Sequence, residues 1–209
     1  MAALCCWNLT ELPIEFIDIL ERDIKKFEES MQDSQLAGLG ADKFVNKQIR
    51  NSKNIWIPTD YWISGWLWYY ITKANRENFL YDITDIDNGS IQYTHYGEGQ
   101  YYNWHSDGDI NVHYKPNLIP SSNRNMSSDK TIIDGEMVRK ISFSLQLSGV
   151  DDYTGGEFQF LDNNGKTFFA PKQRGTLVIF DSRVKHRVRK VTSGIRKSLV
   201  GWVVGPRWR

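Results

Sequence analysis

From residue 79 onward the chain reads as a succession of short strands. Apolar and β-branched residues come in brief runs at 79–84, 90–96, 101–107, 139–148, 156–161, 166–170, 175–181, 183–189 and 197–204. Turn formers such as Asp162-Asn163-Asn164-Gly165 separate several of them. Many short strands with tight turns bury their apolar faces against one another, which predicts a sandwich or jelly roll. Before residue 79 the pattern is helical. Leu12, Phe16, Ile17, Leu20, Ile24 and Phe27 recur at helical spacing over 10–32, with Thr10 as cap and Pro13 in the first turn. A second, aromatic-rich helix is predicted from Asp60 to about Asn78, capped by Thr59 or Asp60. Helices first and strands after give an α+β chain, with a helical part over 1–78 and a β core over 79–209. A length of 209 residues suits one domain built on one sizeable core.

The formal net charge of +1 supplies no global attraction to nucleic acid or to anionic membrane. The cysteines are the adjacent Cys5 and Cys6, a poor geometry for a structural disulfide, and no Cys-x-x-Cys spacing exists for zinc. The start MAALCCWNLTELP lacks the basic region of a signal peptide, and the apolar run around Tyr61–Ile71 is too short to span a bilayer. A soluble, cytoplasmic protein is expected. One segment, Gly108–Glu136, is long, polar and rich in Ser, Asn and Pro. Its length marks either a lid over a site or a surface insertion.

Chemistry concentrates in His105-Ser106-Asp107 and in His186. Residues i and i+2 of a strand share a face, so His105 and Asp107 point together. His186 lies on the Val184/His186/Val188 face of a strand whose other face carries Lys185, Arg187 and Arg189. A lone His on such a face needs a partner, which a hydrogen bond supplies as well as a metal does. Combined with His-x-Asp, it outlines two imidazoles and one carboxylate on one face of a ferrous ion, leaving three positions open. A zinc hydrolase would more often show three His or a helical His-Glu-x-x-His, and neither is present. Ten residues after His186 stands Arg196, and strand alternation puts Arg196, Ser198, Val200 and Trp202 on one face. Arg196 and Ser198 can grip one carboxylate together. The set points to an oxygenase using iron, O2 and 2-oxoglutarate.

The segment Tyr96-Gly97-Glu98-Gly99-Gln100-Tyr101-Tyr102-Asn103-Trp104-His105-Ser106-Asp107 resembles the Tyr-x-x-Gly-x-x-Tyr-x-x-His-x-Asp stretch of prolyl 4-hydroxylase-like, Fe(II)- and 2-oxoglutarate-dependent dioxygenases. Arg139-Lys140-Ile141-Ser142 through Leu147-Ser148, then Asp152-Tyr153-Thr154-Gly155-Gly156-Glu157, looks like the family's central strand and Gly-Gly-Glu turn. His186 with Arg196 and Trp202 matches its closing segment, and the likeness is nearest to the bacterial and viral PKHD-type branch. It covers about residues 90–205. The resemblance implies a double-stranded β-helix, iron held by His105, Asp107 and His186, and 2-oxoglutarate held by Tyr96 and Arg196. It places Tyr102 and Trp202 near the substrate, although plain alternation puts Tyr102 opposite His105 unless the strand is bulged. It implies Fe(II), 2-oxoglutarate and O2 as cofactors, with ascorbate as candidate reductant. Prolyl 4-hydroxylases proper usually carry Lys where Arg196 stands, and Arg fits the PKHD-type branch.

The expected reaction couples decarboxylation of 2-oxoglutarate to hydroxylation of a C–H bond. The substrate reading is a prolyl or similar residue in a protein or peptide. The alternatives are a free amino acid or metabolite, then a nucleic acid, and then a non-catalytic scaffold on the same fold. Near-zero net charge argues against the nucleic acid.

Overall fold

The computed structural model describes residues 7–34, 36–37, 43–44, 46–58, 60–87, 91–108 and 137–208. Its elements run β1 (Trp7–Glu11), α1 (Ile14–Ile24), β2 (Gln32–Asp33), β3 (Leu36–Ala37), β4 (Lys43–Phe44), β5 (Arg50–Asn51), β6 (Lys53–Ile57) and α2 (Trp62–Ala74). There follow β7 (Asp85–Ile86), β8 (Ile91–Tyr96), β9 (Tyr101–His105), β10 (Met137–Gln146), β11 (Tyr153–Gly155) and β12 (Phe158–Leu161). The chain closes with β13 (Thr167–Phe169), β14 (Thr176–Asp181), β15 (Lys185–Val188), β16 (Val191–Gly194) and β17 (Arg196–Pro206). The longer sheet has the order β1-β14-β10-β17-β8-β6-β2, with β7 also on β17, and the shorter has the order β13-β12-β15-β9-β5. Every strand pair described is antiparallel. This is the expected α+β arrangement, a double-stranded β-helix with supporting helices.

The unbroken apolar run in β14 follows from its place between two cores. Leu177 and Ile179 face the helices, where they join Ile17, Leu20, Ile24, Leu67 and Ile71. Val178 and Phe180 face the shorter sheet, where they join Phe158, Phe160, Val184 and Val188. A strand covered on both sides has no solvent face to mark with polar residues. On α1, Ile17, Leu20 and Ile24 are wholly buried on one stripe, and truncating any of them to Ala costs about 2–5 kcal/mol.

Several expectations need correction. The first helix begins at Ile14 and gives way to a 3-10 turn over Lys25–Ser30, because residues 7–11 are drawn into β1 and pair with β14. Thr10 therefore sits in a strand, and Pro13 takes the N-cap. The second helix is capped at Tyr61 with no side-chain cap bond, so Asp60 does not cap it, while Thr59 lies outside the described residues. Its last turn, Asn75–Phe79, is π-helical and stops at Leu80, which adopts φ 55°. No strand forms at 79–84, where Asn75 instead ties the chain down through paired bonds to the Tyr81 backbone. The first 78 residues are not only helical, since β1 and β6 join the longer sheet and β5 the shorter. Of the segment 108–136, expected as a lid or insertion, residues 109–136 lie outside the described residues, His113 among them. No helix among the described residues is long and apolar enough to cross a membrane.

Candidate metal centre and acid pocket

His105 ends β9 and lies opposite His186 of β15. On β15 the next paired residue is Val188, two positions on, but its partner in β9 is Tyr102, three positions from His105. The extra residue is a bulge, and it turns Tyr102 and His105 to the same side. Their rings stack with centroids 3.5 Å apart. Asp107 follows the strand by two residues. Its backbone N–H, and that of Gly108, donate to the Ser182 carbonyl at 2.9 and 2.8 Å. Gly108 must be small here, because a Cβ would lie 2.8 Å from the Arg139 carbonyl oxygen.

The three side chains converge, with one ligand atom from each lying within 4.8 Å of the others. His186 Nε2 is 3.3 Å from Asp107 Oδ2, and His105 Nε2 is 3.7 Å from Asp107 Oδ1. Each imidazole donates its Nδ1–H to a backbone carbonyl, His105 to Asn103 at 2.7 Å and His186 to Val184 at 2.9 Å. That fixes the tautomer and leaves the Nε2 lone pair for a metal. Burial, then the neighbouring His186, pushes the His105 imidazole down to about 3, so the ring stays neutral. Burial alone would raise the Asp107 carboxyl. The facing His186, then His105 and Arg139, outweigh it and hold the carboxyl well below the usual carboxylate range. Ser142 Oγ donates to Asp107 Oδ2 at 2.8 Å, and Ser182 Oγ lies 2.9 Å from Ser142 Oγ. Two imidazoles, each with Nδ1 tied to a backbone carbonyl, and one oriented carboxylate are the donor set that ferrous iron takes from a protein, so these residues fit that ion.

The same cavity, of about 470 Å³ including its open mouth, is lined by the triad and by Tyr96, Arg196 and Ser198. Arg196 and Ser198 are 3% and 0% exposed, and Arg196 Nη1 donates to Ser198 Oγ at 3.1 Å. The Arg196 Nε–H is buried and has no partner. A buried guanidinium with a spare donor, beside a hydroxyl and above the Tyr96 ring (5.8 Å), suits the far carboxylate of a bound acid. Tyr96 lies opposite Arg196 in the register of β8 and β17. Tyr102 and Trp202 also line the cavity, with the Arg139 guanidinium 4.0 Å over Trp202.

Sequence reasoning missed Arg50 and Gln92. Arg50 is 5% exposed and lines the cavity. It donates to Gln92 Oε1 at 3.1 Å and to Ser52 Oγ at 3.0 Å, with its guanidinium 4.9 Å over Tyr102. The signal was present in Arg50-Asn51-Ser52, the same Arg-x-Ser alternation as 196–198, but it fell between the two predicted helices, where no strand was expected. Ser142 and Ser182 left no local signal, since their role depends on which strands become neighbours.

Residues 91–204, over half of the chain, match the 2OG-Fe(II) oxygenase superfamily. A PKHD-type hydroxylase from a Synechococcus species is 34% identical over 79 residues, 37% of this chain and 35% of that protein. The chain thus matches little more than a third of the length of such curated relatives. Among solved structures, a Pseudomonas putida prolyl-4-hydroxylase superposes with TM-score 0.68 at 18% identity, covering 97% of this chain and 93% of that one. A Trichoplax adhaerens prolyl hydroxylase, solved with a hypoxia inducible factor oxygen degradation domain peptide fragment, superposes with TM-score 0.69 at 18% identity, covering 95% and 83%. The fold is therefore that of the prolyl hydroxylases, and the chain belongs to the 2OG-Fe(II) oxygenase superfamily.

Proposed function

We propose that this protein is an Fe(II)- and 2-oxoglutarate-dependent dioxygenase that hydroxylates a C–H bond of a prolyl or similar residue in a protein or peptide. The observation that carries this reading is the joining of two elements in one cavity: the His105/Asp107/His186 triad and the buried Arg196–Ser198 pair. His105, Asp107 and His186 would hold the iron, and Arg196, Ser198 and Tyr96 the far carboxylate of 2-oxoglutarate. When bound, iron and 2-oxoglutarate supply the oxidising power drawn from O2, with release of succinate and CO2.

The chain's own residues would bind and orient. The fixed Nδ1–H bonds of both histidines keep two nitrogen donors aimed at one point. Phe158 and Phe180 surround His186 at ring-centroid distances of 5.6 and 4.9 Å and keep water from that side. Tyr102 and Trp202 would face the substrate, as an aromatic wall suited to a pyrrolidine ring. Support for a peptide substrate comes from neighbours of the same fold that are prolyl hydroxylases, one of them seen with a peptide fragment.

Arg50 favours a second reading, a small-molecule hydroxylase. A buried guanidinium at the Tyr102 side of the cavity can take the carboxylate of a free amino acid or metabolite. Anaerobic Fe(II) with 2-oxoglutarate should give a visible charge-transfer band, and turnover should yield succinate. Proline-rich peptides, free proline and metabolite pools, each followed by mass spectrometry for one added oxygen, separate the two substrates. No band and no succinate would overturn the dioxygenase reading.

A further inference from the structure

The turn Asp181–Val184 supports two metal ligands at once. The Ser182 carbonyl accepts the Asp107 and Gly108 N–H groups, and Ser182 Oγ completes the chain through Ser142 Oγ to the Asp107 carboxylate. Val184 N–H closes the turn on the Asp181 carbonyl at 3.0 Å, and the Val184 carbonyl takes the His186 Nδ1–H. A small rotation of this turn would move the carboxylate and one imzidazole donor together.

What holds the turn is a charge cluster centred on one buried carboxylate. Asp181 is fully buried. Its Oδ1 accepts the backbone N–H and the Nε–H of Arg183 at 2.8 and 3.0 Å, and its Oδ2 accepts Arg183 Nη2–H at 2.6 Å and the Tyr81 hydroxyl at 2.5 Å. Trp208 covers the cluster. The Arg183 guanidinium and the Lys140 ammonium each lie 3.9 Å from its ring centroid, and Tyr81 meets it edge-on at 4.8 Å. The Trp208 indole N–H is buried with no partner. An indole kept there at the cost of an unmade hydrogen bond is held for its ring, which attracts both cations.

We propose that Trp208 and Asp181 are positioning residues for the metal centre, clamping the turn that orients Asp107 and His186. The proposal rests on the reading of the triad as a metal site. Neither residue lines the cavity. Each acts through Arg183 and the 181–184 turn, as outer partners do at metal sites, where their loss typically lowers metal affinity about 10- to 100-fold.

The test is titration of the metal-free protein with Co(II), read by its visible absorption, alongside thermal unfolding. Trp208→Ala and Asp181→Asn are expected to raise the Co(II) dissociation constant at least about tenfold. Trp208→Phe, which keeps a ring for the cations, should restore most of it. Arg174→Met is the control for plain loss of stability. Arg174 binds Asp18 at 2.6 Å, Glu21, and the Leu147 carbonyl at 2.8 Å, and it makes no contact with the turn. It should lower the melting temperature and leave Co(II) affinity unchanged. Unchanged affinity in Trp208→Ala and Asp181→Asn overturns the proposal while the metal site stands, and so does an equal loss in Arg174→Met. A wild-type protein that takes up no Co(II) overturns the metal reading, and this proposal with it.

Discussion

Tyr102 and His105 stack face to face, 3.5 Å between ring centroids, although they are three residues apart in one strand. Simple alternation sends such residues to opposite faces. The bulge in β9 absorbs one residue between Val188 and His186 of the partner strand, so Tyr102 covers the imidazole that would hold the metal. Burial, ahead of the opposing charge of Arg50, pushes the Tyr102 phenol well above its usual range, so it stays protonated.

Deleting Asn103 removes the extra residue and leaves Tyr102 and His105 two positions apart, in step with Val188 and His186. It also removes the carbonyl that fixes the His105 tautomer. The deletion is expected to weaken Co(II) binding at least about tenfold with the β-sheet circular dichroism retained. Wild-type affinity in that variant would show that the bulge is incidental.

Ser142→Ala takes away the 2.8 Å hydrogen bond to Asp107 Oδ2 and breaks the link to Ser182. The freed carboxylate can rotate, and metal affinity is expected to fall about 10- to 100-fold. Calorimetric titration with Mn(II) measures this directly. Ser142→Thr, which keeps the hydroxyl, should bind better than Ser142→Ala.

Arg196→Ala should raise the KM for 2-oxoglutarate roughly 10- to 100-fold, the worth of charge-assisted hydrogen bonds, while Mn(II) still binds. Ser198→Ala, which removes one neutral hydroxyl, should have the smaller effect. An unchanged KM in Arg196→Ala would move the acid to another cation of the cavity, with Arg50 the first to test.

His95 points away from the cavity, with its Nε2 3.7 Å from Glu28 Oε1 and its ring 4.6 Å from Tyr93. Burial first, then the Lys197 charge, pushes its pKa from 6.5 to about 4, against the opposing pull of Glu28. The unfolded chain therefore binds a proton that the folded chain refuses. The stability tied to a neutral His95 is complete above about pH 6.5 and is lost as the pH falls towards 4. His95→Gln should flatten the pH dependence of urea unfolding across that window by up to about 3 kcal/mol. Parallel curves for the two proteins would contradict the assignment.

Local periodicity carried much of this molecule. The apolar stripe of α1, the strands β8, β10, β14 and β17, and the shared face of Arg196 with Ser198 all follow from residue spacing, because a strand or helix projects its side chains at a fixed repeat. Spacing also left a question open at Tyr102, which alternation assigned to the wrong face.

The sequence by itself determined which side chains each strand would offer and on which face. Only the tertiary structure decided which strands would meet. It drew Thr10 and Glu11, the predicted start of the first helix, into a strand at a sheet edge, brought Arg50 from between the two predicted helices into the cavity, and set Ser142 and Ser182 behind Asp107. Such contacts join residues tens of positions apart. They are settled by burial and hydrogen-bond pairing across the whole fold, and no local repeat encodes them.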